Sequence, residues 1–510
     1  MMMPRTLLTL TALLSAAVVA VGCGSDGSGS STGASLAPAG SLIYGEATLE
    51  PEGDQKAAID SLIEKFPGQG SAGDRIRNLM EKAFAESDSG LSYKKDVEPW
   101  LGEEAAFFLS RIEAGGDSGD GGLMVATEDE DKAQAALDKA IDGKRAEYKD
   151  TEYFTEDGGA AGVVDGWVVI ATMRAFKAAV DVADDGRSLE DNEDFQKTLE
   201  DASEDRLGYF YINTPAFVKT LERSPAGAQL GQFRDFFKEP LVATMNADES
   251  GVRFESTVPK SLAAGFPVVA EGADLAGELP GDSWLAMAQP KLGEMLDRYV
   301  DLFGAQLGGR DNVEQQFEST TGLDLQEDVL SWMGDWALFV RGTSVSELGG
   351  ALIVETSDEQ KSARVIDTIA RFARQSADAD EQVGPLSLPG GGEGVTLRTP
   401  DVPQPIHLFQ QDGRVVLVYG DAAAADAISP GQSLADTAEF AQAEDALGGD
   451  YNVSFYLAAE PILALVDSTG AGASAEWAKA KPYLEPLGAL VGGAQEDGDK
   501  LRSAFGVTVK

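Results

Sequence analysis

The sequence predicts an α+β fold made of two tandem homologous repeats, each a largely antiparallel sheet covered by helices. The first observation is a motif that occurs twice, as GLSYKKDVEPWLG in residues 90–102 and as GLDLQEDVLSWMG in residues 322–334. The second is that further matched segments follow each copy in the same order. The third is that short turns join successive strands, and strands joined by tight turns pair antiparallel.

The segments after the motif each predict a strand followed by a helix. They read LMVATEDEDKAQAALDKAI in residues 123–141 and LIVETSDEQKSARVIDTI in residues 352–369, and apolar residues recur at helical spacing in the second part of each. We expect a capping box of Thr127 with Glu130 to begin the first of these helices.

Hairpin turns come next in both halves. Asp165-Gly166 and Asp412-Gly413 each precede a run of β-branched residues, and an Asp-Gly pair suits the left-handed backbone of a two-residue hairpin turn. The chain does not alternate strictly between strand and helix, so the pattern favours α+β over a doubly wound parallel sheet.

The matched segments also set the domain boundaries. We place repeat 1 at residues 36–260, an Ala/Gly-rich linker at 261–275 and repeat 2 at 276–510. Residues 1–22 are predicted to be a signal peptide, and the Gly/Ser-rich residues 23–35 a flexible tether.

The N-terminal sequence predicts the cellular location of the protein. Arg5 precedes an apolar stretch at residues 7–21, which has the length of a signal-peptide core. The following cysteine, Cys23, is the only one in the chain, and its surroundings resemble the lipobox of bacterial lipoproteins, in which the cysteine receives a diacylglyceryl group. Ala20 stands where that pattern usually has Leu, so ordinary secretory cleavage stays open as the alternative. We expect a lipid-anchored protein on the extracytoplasmic face of the cell membrane.

The charge balance bounds the partners. Lys and Arg number 40 against 86 Asp and Glu, for a net charge of -46. Nucleic acid is excluded as an expected partner because binding it requires a basic surface that displaces counterions from phosphates. Weak, non-specific binding of divalent cations is expected.

The repeated motif supplies a structural signature. Its aspartates, tryptophans and glycines lie at matched spacing in the two copies: Asp96, Trp100, Gly102, Asp328, Trp332 and Gly334. With the lipobox and the two-repeat length, this signature resembles a family of exported, mostly actinobacterial lipoproteins catalogued as a domain of unknown function. The resemblance implies a surface location and carries no activity. We expect each Trp to pack in the core at the end of a short helix that the following Gly terminates.

No catalytic residue, metal site or cofactor is predicted. His407 is the only histidine and lies in a strand without a recognisable partner. The G-x-G-x-x-G match at residues 68–73 follows a helix, and the G-x-S-x-G match at residues 29–33 lies in the tether, so neither has the context its chemistry requires. The acidic stretches at residues 181–193 and 115–122 lack the ligand spacing of a calcium loop.

Three hypotheses for the function are compatible with these sequence features. The leading hypothesis is a non-enzymatic, lipid-anchored protein of the cell envelope that binds or scaffolds an envelope protein or another ligand. The second is a carrier of an apolar ligand in a cavity between sheet and helices. The third is a hydrolase that uses carboxylates and a metal.

Overall fold

The computed structural model of the protein describes most of the chain. The described residues are 32–68, 70–87, 89–112, 119–200, 202, 206–222, 237–260, 275–304, 308–377, 381–386, 393–400 and 402–510. The predicted signal peptide, Cys23, most of the tether and nearly all of the linker lie outside them. The chain divides into two compact units, Met1–Thr257 (unit 1) and Val258–Lys510 (unit 2).

Unit 1 contains ten described strands and six described helices. The strands are β1 Ile43–Thr48, β2 Leu101–Ile112, β3 Gly119–Thr127, β4 Lys144–Tyr148, β5 Thr151–Glu156, β6 Gly159–Val164, β7 Trp167–Thr172, β8 Gly208–Ile212, β9 Leu241–Asp248 and β10 Gly251–Pro259. The helices are α1 Gly53–Lys65, α2 Ala72–Glu86, α3 Glu130–Ala140, α4 Met173–Ala183, α5 Glu193–Glu200 and α6 Thr214–Leu221.

All described strand pairs in unit 1 are antiparallel, in the spatial order β4-β5-β6-β7-β3-β2-β1-β8-β9-β10. Alternate residues of the strands enter two cores. One core lies between the sheet and α4 and α5, and it contains the buried side chains of Tyr44, Phe108 and Phe176. The other lies under α2 and α3 on the opposite face, with Phe84 and Trp100 among its members.

Unit 2 also contains ten described strands. They are β11 Ser283–Gln289, β12 Met333–Arg341, β13 Gly349–Thr356, β14 Gln382–Pro385, β15 Glu393–Arg398, β16 Ile406–Gln411, β17 Arg414–Tyr419, β18 Asn452–Ala458, β19 Leu487–Asp497 and β20 Lys500–Val509. Their antiparallel order is β14-β15-β16-β17-β13-β12-β11-β18-β19-β20. Each strand therefore has the place in its sheet that the strand ten numbers earlier has in unit 1.

The described helices of unit 2 are α7 Leu275–Glu278, α8 Leu292–Gly304, α9 Arg310–Thr321, α10 Glu359–Ser376, α11 Asp421–Asp426, α12 Ala438–Asp445, α13 Ala459–Asp467 and α14 Ala475–Leu484. The mixed α/β class and the antiparallel pairing predicted from the sequence are confirmed. The boundaries differ slightly, because Gly33–Ser35, placed in the tether, form a 3₁₀ turn in which Ala34 is buried. Leu275, placed in the linker, begins α7 and is also buried.

The hairpin turns lie where the sequence predicts them. Asp165 and Gly166 have φ of 46° and 80°, and Asp412 and Gly413 have φ of 50° and 73°, so both pairs adopt the left-handed conformation. The predicted capping box at Thr127 is wrong by two residues. The N-cap of α3 is Asp129, whose carboxylate accepts a hydrogen bond from the Lys132 amide.

Candidate functional site

The candidate site is an apolar groove with a volume of about 230 Å³ on one face of the unit 1 sheet. Strands β1, β2, β3, β8, β9 and β10 contribute to it. We call it the aromatic groove and define it by a floor of Gly45, Ala47 and Ala243 and walls of Phe107, Phe210 and Phe254. All six occupy alternate strand positions that point to the same face.

The walls are unusually exposed for large aromatic side chains. Phe107, Phe210 and Phe254 are 40%, 37% and 43% exposed, and the rings of Phe107 and Phe210 lie 5.9 Å apart. A contiguous exposed apolar surface of this kind marks a binding region more often than an isolated exposed residue does. The site therefore offers apolar surface that the described fold leaves uncovered.

Helix α1 closes one end of the groove. Its Gln55 side chain donates to the carbonyl of Ala247 (3.1 Å) and accepts from the amide of the same residue (2.9 Å). Ala247 faces the same side of β9 as Ala243 and is buried. The part of this sheet face that α1 leaves exposed therefore begins next to Ala247.

A polar cluster lies on the opposite face of the same strands. Glu46 and Tyr209 alternate with the groove residues along β1 and β8, and the Tyr44 hydroxyl donates to the Glu46 carboxylate. Burial raises the pKa of Glu46, and burial with the nearby charges of Glu46 and Glu103 raises the pKa of Glu104 to about 7. Both carboxyls lie on the face opposite Gly45 and Phe107, so the side chains that form the floor and walls of the groove are apolar.

The signature residues of unit 1 form a buried corner before β2. Trp100 is 3% exposed and follows a single helical turn, Tyr93–Val97. Its indole N–H donates to the carbonyl of Asp96 (2.6 Å), and its own carbonyl accepts from the Glu128 amide (3.0 Å). Burial opposes ionisation of Asp96, but hydrogen bonds from Lys139 and the Ser92 amide outweigh it and hold its pKa below the usual range.

Unit 2 has a corner with the same bonds. Trp332, also 3% exposed, donates from its indole N–H to the carbonyl of Asp328 (3.0 Å), and its carbonyl accepts from the Ser357 amide (3.0 Å). The side chain of Asp328 accepts from the amide of Asp324 (3.0 Å). The signature is therefore a packed corner and contributes nothing to the groove.

The glycines of the signature have a different role from the predicted one. Gly102 lies inside β2, where a Cβ atom would come within 2.9 Å of the Ala126 backbone. Gly334 lies inside β12, where a Cβ atom would be 3.2 Å from the Glu355 carbonyl oxygen. They allow close approach of the neighbouring strand rather than ending a helix.

His407 has partners that sequence reasoning missed. Its fully buried ring lies 2.9 Å from the Thr396 hydroxyl at Nδ1 and 2.9 Å from an Asp421 carboxylate oxygen at Nε2. Strand pairing places Thr396 opposite His407, so a predicted register of β15 and β16 would have found it. A ring enclosed this completely holds β16 to the start of α11 and has no surface for a substrate.

The acidic stretches do not form a described metal centre. In the stretch at residues 181–193, Asp181 and Asp184 bind the ammonium group of Lys149 at 2.7 and 3.0 Å. The stretch at residues 115–122 lies partly outside the described residues. Within the described ranges, no group of three or more His, Cys, Asp or Glu residues is arranged to hold a metal ion. No helix among those residues has the length and apolar character required to cross a membrane.

None of the groove residues was predicted as a site. Phe107 lies in AAFFL and Phe210 in GYFYI, runs that indicate ordinary buried strands. The one available signal was the set of small residues at the matching positions of neighbouring strands, such as Gly45 and Ala243, which leaves space above the sheet.

Fold and groove together define a two-unit mixed α/β protein with an exposed apolar groove on unit 1. The chain belongs to the family described as "Protein of unknown function (DUF3352)", whose profile matches residues 6–491. Membership of a family of unknown function, expected from the repeated motif, is thereby confirmed.

No curated protein matches the sequence. Among solved structures, crystal form IV of TP0453 is similar with a TM-score of 0.26 and 11% identity, covering 45% of this chain and 81% of that one. Crystal forms III and I give TM-scores of 0.25 and 0.24 at 8% and 9% identity; each covers 45% of this chain, and 80% and 79% of the other. Likeness at this level carries no argument about this protein.

Proposed function

We propose that the protein is a non-enzymatic, lipid-anchored binding protein on the extracytoplasmic face of the membrane, with the aromatic groove as its binding site. The observation that carries the proposal is the exposure of three phenylalanines around a floor of glycine and alanine. Side chains of this kind can hold an apolar ligand and supply no nucleophile, acid or base. The groove favours a ligand-binding role over a scaffold and over a hydrolase.

The two units are two copies of one domain in this proposal. Supporting it are the common order of ten strands and the two tryptophan corners with matching hydrogen bonds. A duplicated domain frees one copy to change its surface while the other keeps its own, which accounts for a groove in unit 1.

The anchor is the second part of the proposal. Its support is the lipobox-like stretch ending at Cys23 and the short distance along the chain to Thr32, where the described part of unit 1 begins. The segment between them spans at most roughly 30 Å when extended. An anchored unit 1 would therefore work within reach of the bilayer surface.

Cys23→Ser tests the anchor. We expect the variant to move from the membrane fraction into the medium with its thermal unfolding unchanged, because the residue belongs to the predicted flexible tether. Wild-type protein that is already soluble and unlipidated would contradict this part of the proposal.

An apolar dye tests the groove. N-phenyl-1-naphthylamine is neutral, so the net charge of -46 does not repel it. We expect saturable binding to the wild type and at least tenfold weaker binding to Ala243→Phe, which fills the floor. Phe455→Ser in unit 2 is the matched control and should bind like the wild type. Absence of saturable binding to the wild type would overturn the proposal.

A further inference from the structure

We infer that the aromatic groove holds a single unbranched hydrocarbon chain of a lipid, an inference that rests on the proposed binding function and names its ligand class. The floor is what a narrow chain requires. A Cβ atom on Gly45 would lie 2.3 Å from the Phe107 ring, and one on Gly208 would lie 2.6 Å from the Glu46 carbonyl oxygen. A larger residue at Gly208 would collide with the backbone of the neighbouring strand, and one at Gly45 would displace the Phe107 ring, which lies over this part of the floor.

The groove excludes polar occupants. Strand alternation turns Glu46 and Tyr209 to the other face, so a ligand polar group placed on the floor would lose its water without gaining a partner. The occupant must be uncharged along the part that enters. A lipid can satisfy this by leaving its headgroup in solvent at the end that α1 does not close.

A peptide fits the site poorly. Strands β1, β2, β8 and β9 are each paired on both sides, so their backbones offer no free edge to an added strand.

A second copy of the chain is also disfavoured. Each copy carries a net charge of -46, so two copies repel at low salt. A stable dimer buries roughly 1,200–2,000 Å², far more than three exposed phenylalanines provide. A neutral hydrocarbon chain meets neither obstacle.

Displacement of the bound dye tests the inference. The full-length Cys23→Ser chain, loaded with N-phenyl-1-naphthylamine, is titrated with monoacylglycerols of six to sixteen carbons, each below its aggregation concentration. We expect displacement to strengthen about fourfold per added CH₂, the factor that burying one methylene gives, and to level off when the chain outgrows the groove. Ala243→Phe should lose both dye and lipid, and Phe455→Ser should keep both.

Two failures are distinguishable. If the dye binds but no chain length displaces it from the wild type, the hydrocarbon inference is wrong and the proposed function stands. If the dye does not bind, the proposed function itself fails. Should Ala243→Phe unfold, Phe210→Ser removes a wall instead and must weaken both ligands; unchanged binding would overturn the inference.

The same protein also distinguishes two sources of the chain. Myristic acid in solution and phosphatidylcholine vesicles are offered separately, and the re-isolated protein is weighed intact by native mass spectrometry. An adduct of either mass supports the inference and assigns the source. A clean protein after both treatments would contradict it.

Discussion

In unit 1 the central strands bring Phe107, Gly45 and Phe210 side by side, and the Phe107 ring lies over the glycine, where a Cβ atom would come within 2.3 Å of it. In unit 2 the strands at the same places bring Leu338, Met287 and Phe455 side by side. Met287 has the sheet position that Gly45 has in unit 1, and α13 packs against β11 and β19 nearby. The two faces therefore differ in the side chain at this position, and unit 2 also exposes an aromatic ring on its face, since Phe505 is 40% exposed and stacks on Phe455.

The two units share their strand order and buried corners and differ at the surface. The tryptophan corners, the strand order and the Asp-Gly hairpins agree between them. The sheet face that carries Gly45 of β1 differs in its side chains from the matching face that carries Met287 of β11. We assign ligand binding to the surface on which the units differ, and stability to the parts that they share.

The largest expected effect lies in the common parts. Trp100→Ala and Trp332→Ala should each lower the free energy of unfolding of the unit that carries the change by about 3–5 kcal/mol, because each removes a nearly fully buried indole and leaves a cavity. Urea unfolding of each variant measures this. A loss of ligand binding without a loss of stability would show that the corner is a recognition site.

The next predictions concern Gly45 and Met287, the residues at which the two faces differ. Gly45→Ala should lower stability by at most about 1 kcal/mol, because the new methyl group meets only the far edge of the Phe107 ring, which is 40% exposed and can turn away. Met287→Ala should lower it by roughly 1–2 kcal/mol through lost burial of a half-buried side chain. Dye binding should fall for the first and stay constant for the second. Equal dye binding by Gly45→Ala and the wild type would show that Gly45 has no role in ligand binding.

A smaller effect concerns pH. The pKa of Glu104 is about 7 in the folded chain, above the usual value of about 4.3, so between these values the folded state keeps a proton that the unfolded state has lost. The stabilisation is complete below about pH 4 and is lost as the pH rises through 7. Because the carboxyl is only partly buried, solvent screening reduces the change to roughly 1 kcal/mol.

Glu104→Gln tests this sign. Glutamine carries no charge at any pH, so the variant should lose part of the decline in stability between pH 5 and pH 8 that the wild type shows. Unit 2 has Ala288 at the position of Glu46, so the effect should be confined to unit 1. Identical pH profiles for variant and wild type would assign the dependence to other groups.

The sequence predicts the local features well because their causes are local. Asp165 and Gly166 adopt the predicted left-handed turn since few other residues tolerate it. The burial of Trp100 follows from its size and its place beside apolar strands. The Thr127 cap was wrong because its hydroxyl donates to the Trp100 carbonyl, a partner 27 residues away that no local pattern reveals.

The groove could not be predicted for a related reason. Phe107 and Phe210 lie in strands whose alternation indicates burial, and their exposure depends on where α1 and α2 end their cover. The neighbours of His407 are likewise brought together by pairing of β15 with β16. Both features depend on which elements pack against each other in the tertiary structure, and a single sequence predicts that packing poorly.

Native mass spectrometry of the full chain from membranes of its own host can detect a ligand in the aromatic groove directly. We expect the wild type and Phe455→Ser each to carry a non-covalent adduct with the mass of a lipid, which unfolding releases and which Ala243→Phe lacks. An adduct that Ala243→Phe retains, or a wild type without any adduct, would contradict the assignment of the aromatic groove as the binding site.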